Sequence, residues 1–202
     1  MSETQREEQK RRTRTLLIET AFQLLARDGL LAARTGDIAK AAGVSHGTVF
    51  AHFPTREALL NAVIEEFGLR SVRRLHQLAG GGGSVRAVLT AHLQGMKEYE
   101  AFYTRLVAEA RQLPESARNT LLMIHSAASH HLSRAAEAEM AAGTLRPMPL
   151  HLLFNTWLGL VHYYLVNGPL FAPGGSVLER HGPELLEHYL KLIRPDAAEE
   201  GR

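Results

Sequence analysis

A chain of 202 residues with 45% hydrophobic and 22% charged residues has enough apolar material for a real core and is neither disordered nor fibrous. It contains no cysteine, which excludes disulfides, thiolate chemistry and cysteine-based metal sites, and a net charge of +2 is too small to announce a polyanionic partner by itself. The N-terminus lacks the apolar run of a secretion signal and no stretch of about 20 apolar residues is present to span a bilayer, so the expected location is the cytoplasm.

Residues 1–9 are almost wholly polar and are expected to form a disordered tail. Lys10-Arg11-Arg12-Thr13-Arg14 then opens a helix whose Leu17, Ala21, Leu24 and Leu25 make one apolar stripe, and Gly29 closes it. The basic cluster has two readings, an arm on a DNA backbone and a solvated helix start. Charge is distributed unevenly: residues 1–56 hold nine Lys/Arg against six Asp/Glu, a balance of +3, which leaves fourteen against fifteen in the remainder. Positive charge thus sits toward the N-terminal end.

The stretch from Thr35 to Arg56 reads TGDIAKAAGVSHGTVFAHFPTR. Asp37 lies in a first helical turn, where the helix dipole favours an anion, and Ile38, Ala39 and Ala42 give that helix one apolar side. Gly43 suits a left-handed exit, and Ser45 suits the N-cap of a second short helix. Val49 and Phe53, four apart, face inward together, whereas Ser45, His46, Thr48 and His52 are small or polar. Gly47 and Ala51 let the backbone approach another surface. Pro54 stops the helix and Thr55 caps the next. Two short helices joined by a glycine turn are the helix-turn-helix that lays its second helix in a DNA major groove; on the local pattern alone, a plain helical hairpin remains the alternative.

The pattern AxxAGVSxGTxFxHFPTREALL resembles the DNA-binding domain of the tetracycline-repressor (TetR) family, over roughly residues 10–65. The resemblance implies that Ser45, His46, Gly47, Thr48, Phe50, Ala51 and His52 approach bases or phosphates. It places Thr35 and Arg56 on the DNA backbone, with Arg56 matching a phosphate-gripping residue. Three positions depart from the family pattern. Arg34 stands where a Ser or Thr cap is usual, so that either Thr35 takes over the cap one residue late or Arg34 reaches a phosphate; Gly36 stands where a longer side chain is common, and Phe50 where Tyr is common. Direct base readout is therefore expected to be sparse, leaning on thymine methyl contacts and DNA shape.

Residues 57–79 continue as a connecting helix with Leu59, Leu60, Val63, Ile64 and Phe67 on its apolar side, and 80–84 is a glycine-rich linker. The pattern is helical again over 85–195, with breaks expected near Glu98–Glu100, Gly143, Asn167-Gly168-Pro169 and the Gly/Pro loop from Phe171 to Ser176. Residues 196–202 form a C-terminal tail. No strand-like alternation of useful length appears, so the fold class is all-α: a three-helix N-terminal DNA-binding domain (10–56) and a C-terminal helical domain for effector binding and dimerisation (85–195).

Leu150–Asn167 is apolar nearly all round and must be covered on every side. The resemblance supplies a second copy as cover, in a four-helix bundle, with Leu153, Leu160, Tyr164, Leu185 and Tyr189 as candidate interface residues. It also implies an effector pocket, for which Met96, Tyr99, Phe102, Tyr103, Met123, His130, Trp157 and Tyr163 offer a mixed apolar, aromatic and hydrogen-bonding lining suited to a small apolar or aromatic molecule. Ordinary core packing is the competing reading for each of them.

No metal site is expected. His125, His130, His131, His151 and His162 lack a helical-spacing partner, and the adjacent His130-His131 point in different directions. No nucleophile–base pair, phosphate loop or carboxylate dyad is present, so neither catalysis nor a cofactor is expected. The functional expectation is a ligand-responsive transcriptional repressor that binds a palindromic operator as a homodimer. The alternatives are a small-molecule carrier or enzyme with a vestigial head, and a metal sensor.

Overall fold

The computed structural model describes residues 3–79 and 83–195, and its elements are ten α-helices and one short 3-10 turn. In chain order the helices are α1 (Glu3–Asp28), α2 (Thr35–Ala41), α3 (His46–His52), α4 (Arg56–Ala79) and α5 (Val85–Glu98), then α6 (Glu100–Glu109), α7 (Glu115–Ala141), α8 (Leu150–Val166), α9 (Gly168–Phe171) and α10 (Val177–Ile193). The 3-10 turn, Ala110–Gln112, precedes α7. The all-α expectation holds.

Packing divides the chain into two units, residues 1–69 with 101–121, and 70–100 with 122–202. In the first unit, α1 buries Leu17, Ala21, Phe22 and Leu25 on one stripe. Phe22 stacks on Phe102 of α6 at 4.3 Å between centroids, and Phe67 of α4 lies 5.3 Å from Phe102 and 5.7 Å from Tyr103. Burying each such ring contributes about 2–3 kcal/mol relative to exposure, so this cluster ties α1, α4 and α6 together. Gly29 ends α1 at φ +98°, a left-handed backbone that favours glycine, and a Cβ there would also have to displace the Glu109 carboxylate, 2.8 Å away. The same carboxylate accepts from Leu31 N at 2.9 Å, pinning the turn that leads into α2.

Expectation and structure differ at the N-terminus. Residues 3–9, expected as tail, are helical and extend α1, with an exposed Glu8–Arg12 pair at 2.5 Å at i,i+4 that contributes about 0.3–0.5 kcal/mol. Residues 1–2, 80–82 of the glycine linker and the C-terminal tail 196–202 lie outside the described residues. Residues 168–171, expected as loop, turn once as α9.

In the second unit, α10 begins at Ser176, whose hydroxyl accepts from Glu179 N at 2.9 Å and donates to Glu100 Oε2 at 2.5 Å. Glu100 also accepts from Val177 N at 2.7 Å and Leu178 N at 3.2 Å, placing an anion on amides that the helix leaves unpaired. Helix α8 buries Leu153, Trp157, Val161 and Leu165, and α10 buries Leu185, Leu186, Tyr189 and Ile193. Tyr189 packs on Trp157 at 5.2 Å and donates its hydroxyl to the Leu153 carbonyl.

These contacts correct the expected dimer surface. Leu153, Leu185 and Tyr189 are 1%, 4% and 1% exposed because they form the protomer's own α8–α10 core. Leu160 and Tyr164 are half-buried, with Tyr164 stacked on Phe171 at 4.2 Å. The exposed stripe of α8 is instead Leu152, Thr156, Gly159, Tyr163 and Val166.

Candidate nucleic-acid interface

Arg34 stands at the α2 N-cap with an extended backbone and makes no side-chain cap bond; its carbonyl receives Asp37 N at 3.1 Å and Ile38 N at 3.2 Å. Thr35 does not take over as cap. It lies inside the helix, and its Oγ1 is 3.1 Å from His46 Nε2, a hydrogen bond that links the start of α2 to the start of α3. Gly43 turns the chain between them at φ +67°, with Val44 N bonded to Ala39 O at 3.0 Å and Gly43 N to Lys40 O at 3.2 Å.

Ser45 caps α3 as its position suggests: Oγ accepts from Thr48 N at 3.1 Å and shares a 2.8 Å hydroxyl bond with Thr48 Oγ1. Val49 is wholly buried and Phe53 is 3% exposed, which fixes the rotation of the helix. That rotation leaves Ser45, His46, Gly47, Phe50 and Ala51 exposed and Thr48 and His52 half-buried. The His46 ring meets Phe50 edge-on at 4.8 Å, so one apolar ring and one imidazole stand side by side on the outer face. Nothing in the protomer demands a missing side chain at Gly47, where a Cβ would touch only Ser45 Oγ at an ordinary 3.7 Å.

Arg56, for which a phosphate grip was expected, is engaged within the protomer. Its Nε donates to the Ala33 carbonyl at 3.1 Å and its Nη2 to the Leu30 carbonyl, so the guanidinium braces the α1–α2 turn. A cation at the start of α4 opposes the dipole, and two main-chain oxygens supply what offsets it. Thr55 caps α4 through a 3.0 Å bond from Ala58 N.

Basic residues of α1 lie close to α3. The Arg14 guanidinium is 5.2 Å from the Phe53 ring centroid. His52 is held below the usual imidazole range by burial first and then by Lys10 and Arg14. The signal for this was the i,i+4,i+7 series Lys10, Arg14, Leu17, which lines both exposed cations up with the buried Leu17 on one side of α1. Arg34 is also exposed.

The eight candidate effector residues do not form one lining. Phe102 and Tyr103 belong to the aromatic core of the first unit, where burial raises the Tyr103 phenol above its usual range. In the second unit Met96 and Trp157 are buried and Tyr99 is half-buried, whereas Met123, His130 and Tyr163 are exposed. The reason is helix phase. On α7 the inward positions include Ala128, Leu132 and Ala135, and Met123 and His130, seven apart, share the opposite side. A groove of about 290 Å³ between α5 and α10, lined by Leu93, Gln94, Lys97, Leu178, Gly182 and Pro183 among others, contains none of the eight. Among the described residues, no three His, Asp or Glu side chains are placed to hold a metal ion, and no helix is long and apolar enough to cross a membrane.

Comparison with known proteins bears on the same segment. Residues 17–63 match the family described as bacterial regulatory proteins, tetR family. The chain is 38% identical over 63 residues to an HTH-type transcriptional repressor of Mycobacterium tuberculosis, a match covering 31% of this chain and 34% of that protein. The chain therefore spans about a third of the length of the curated relatives it matches. Similarity of fold extends further. A TetR-family regulator from Agrobacterium tumefaciens superposes with a TM-score of 0.75 at 16% identity, over 92% of this chain and 100% of that one. FadR from Bacillus subtilis, solved in complex with stearoyl-CoA, does so with a TM-score of 0.73 at 17% identity, over 89% and 99%.

Proposed function

We infer, from a chain whose residues 17–63 match the TetR family and whose all-helical plan is that of solved TetR-family structures, that it is a member of that family: a cytoplasmic transcriptional repressor that binds a palindromic DNA operator as a homodimer and is released by a small effector. The observation that carries this reading is the outer face of α3. A capped helix held by Val49 and Phe53 turns His46, Gly47, Phe50 and Ala51 to solvent, and only a partner outside the protomer makes use of such a face.

His46, Thr48 and His52 approach base edges or phosphates, Phe50 and Ala51 meet thymine methyls, and Lys10, Arg14, Arg34 and Thr35 follow the phosphate backbone. Gly47 lets the helix backbone come close. The second copy packs along Leu152, Thr156, Gly159, Tyr163 and Val166 of α8, spaced four, three, four and three residues apart like the seam of paired helices. A two-fold pair sets two α3 helices about 34–36 Å apart, one turn of duplex. The effector is a small molecule with an apolar or aromatic body. Its binding in the second unit weakens DNA affinity, and DNA weakens effector binding by the same factor.

The test is fluorescence anisotropy with the DNA upstream of the gene, with and without its palindrome and across salt. A steep loss of affinity with salt and a preference for the intact palindrome support the reading. Equal, weak binding to all duplexes overturns it.

A further inference from the structure

Helices α5 and α10 pack against one another in the second unit, and two ion pairs join them. Arg86 pairs with both oxygens of Glu187, Nη2 donating to Oε2 at 3.0 Å. Further along, Lys97 Nζ lies 3.3 Å from Glu179 Oε1. In the stretch between the pairs the two helices leave the groove of about 290 Å³, bounded by Thr90, Leu93 and Gln94 on α5 and by Gly182, Pro183 and Leu186 on α10.

Two adjacent residues of α10 open it. Gly182 is buried, and a Cβ there would stand 3.9 Å from Leu93 Cδ1 and 4.0 Å from Leu178 Cβ, so a side chain at this position would occupy the floor. Pro183 has no N–H to return to the Glu179 carbonyl, which leaves that oxygen without its partner in the helical ladder. Glycine and proline are the residues that a helix interior tolerates least, and here they stand together inside one. Such a local conflict marks a place where something other than the helix sets the residues.

Leu93, Leu178, Leu186 and the Pro183 ring make the groove largely apolar. Lys97 and Glu179 give it an ammonium donor, a carboxylate and the main-chain oxygen released by Pro183. The two charges already neutralise each other, so a charged ligand has to break their pair. A hydroxyl does not: it accepts from Lys97 and donates to the Glu179 main-chain oxygen while the pair stays whole.

We propose that the α5–α10 groove binds a neutral alcohol or phenol carried on a compact apolar body. The volume is at the lower end of the range for small-molecule sites and suits one or two rings. The hydroxyl bridges Lys97 Nζ and the Glu179 main-chain oxygen, and the body covers the leucines and Pro183. The proposal deepens the ligand-responsive reading above, on which it rests for the ligand's effect on DNA, and it places the ligand apart from the eight residues expected to line an effector pocket.

The test is equilibrium dialysis of the full-length protein at about pH 7, where a phenol stays neutral. The probes are 1-naphthol, naphthalene as the same body without the hydroxyl, and 1-naphthoate and 1-naphthylmethylamine as charged counterparts. Naphthol is expected to bind saturably and at least about tenfold more tightly than the other three. Pro183→Ala returns an N–H to the Glu179 carbonyl. It is expected to raise the thermal midpoint and to weaken naphthol about tenfold, with naphthalene changed by less than about twofold. Gln94→Trp on the exposed rim fills the groove without touching the core, and is expected to abolish binding of both. No saturable binding of naphthol, charged counterparts that match it, or naphthol affinity that survives either variant would each overturn the proposal. Operator binding measured on the same preparation without naphthol separates the two readings. If it persists while naphthol fails, only this site is lost; if it fails, the regulator reading falls whatever naphthol does.

Discussion

Thr35 Oγ1 and His46 Nε2 lie 3.1 Å apart, joining the first turns of two helices whose sequence positions are separated by the Gly43 turn. The bond sets the azimuth of the His46 ring, and that ring in turn stands edge-on to Phe50. Thr35→Val keeps the shape and removes the hydroxyl. It is expected to lower head stability by about 0.5–1.5 kcal/mol, and to weaken operator binding further because His46 loses its fixed orientation. Urea unfolding and anisotropy on the same variant check both. An unchanged operator affinity would leave His46 without a positional role.

Gly47 separates folding from recognition. A Cβ there meets only Ser45 Oγ at 3.7 Å, and alanine is the better helix former by about 0.5–1 kcal/mol. Gly47→Ala is therefore expected to raise the thermal midpoint slightly while lowering operator affinity at least about tenfold, since the methyl stands on the face presented to the duplex. Retained affinity would show that the groove never comes so close.

Arg56 was expected to grip phosphate, and in the protomer it braces the turn after α1 through the Ala33 and Leu30 carbonyls. Arg56→Ala is expected to destabilise the head by about 1.5–3 kcal/mol, the range of hydrogen bonds to a charged group, without changing the slope of log affinity against log salt. A slope reduced by about one would mean that the guanidinium meets a phosphate after all.

Short-range features were legible in the sequence. The Ser45 cap, the left-handed Gly43 and the inward pair Val49 and Phe53 each follow from residues no more than four apart. Partners far along the chain were not legible. Arg56 meets carbonyls 23 and 26 residues away, and the histidine cluster of His92, His125 and His162 draws on helices that only tertiary packing brings together. Helix α8 defeats periodicity for a different reason: it is apolar nearly all round, so the pattern cannot say which side faces its own core. That is why Leu153 was assigned to a partner surface while it packs under Tyr189.

The histidine cluster also dictates an acid response. Its rings protonate near 6.5 in the unfolded chain and only at about 3 for His92 and about 4 for His162 when folded. The unfolded chain thus binds more protons below about pH 6.5, so stability from this source is fully present above that value and is lost as pH falls toward 4 and then 3. Urea midpoints at about pH 7.5, 6 and 5 are expected to fall in that order, and His162→Phe is expected to flatten the decline. An equal decline in the variant would assign the acid response to carboxylates elsewhere.

The proposed dimer seam and the protomer core lie on opposite sides of α8, so paired substitutions can tell them apart. Gly159 has nothing within 4 Å of an added Cβ, and Tyr163 is 60% exposed in the single chain. Tyr163→Asp therefore costs the protomer only the edge contacts of an exposed ring with Tyr164 and Phe171; in a dimer it buries a charge against the partner's stripe, at a cost of several kcal/mol. Sedimentation is expected to show a monomer that retains its thermal transition near the unmodified value, with operator affinity lost because two half-sites are no longer engaged at once. Tyr189→Phe should do the reverse. It deletes the hydroxyl given to the Leu153 carbonyl, is expected to lower stability by about 1 kcal/mol, and leaves the assembly state alone. A Tyr163→Asp protein that still sediments as a dimer would place the seam on another face.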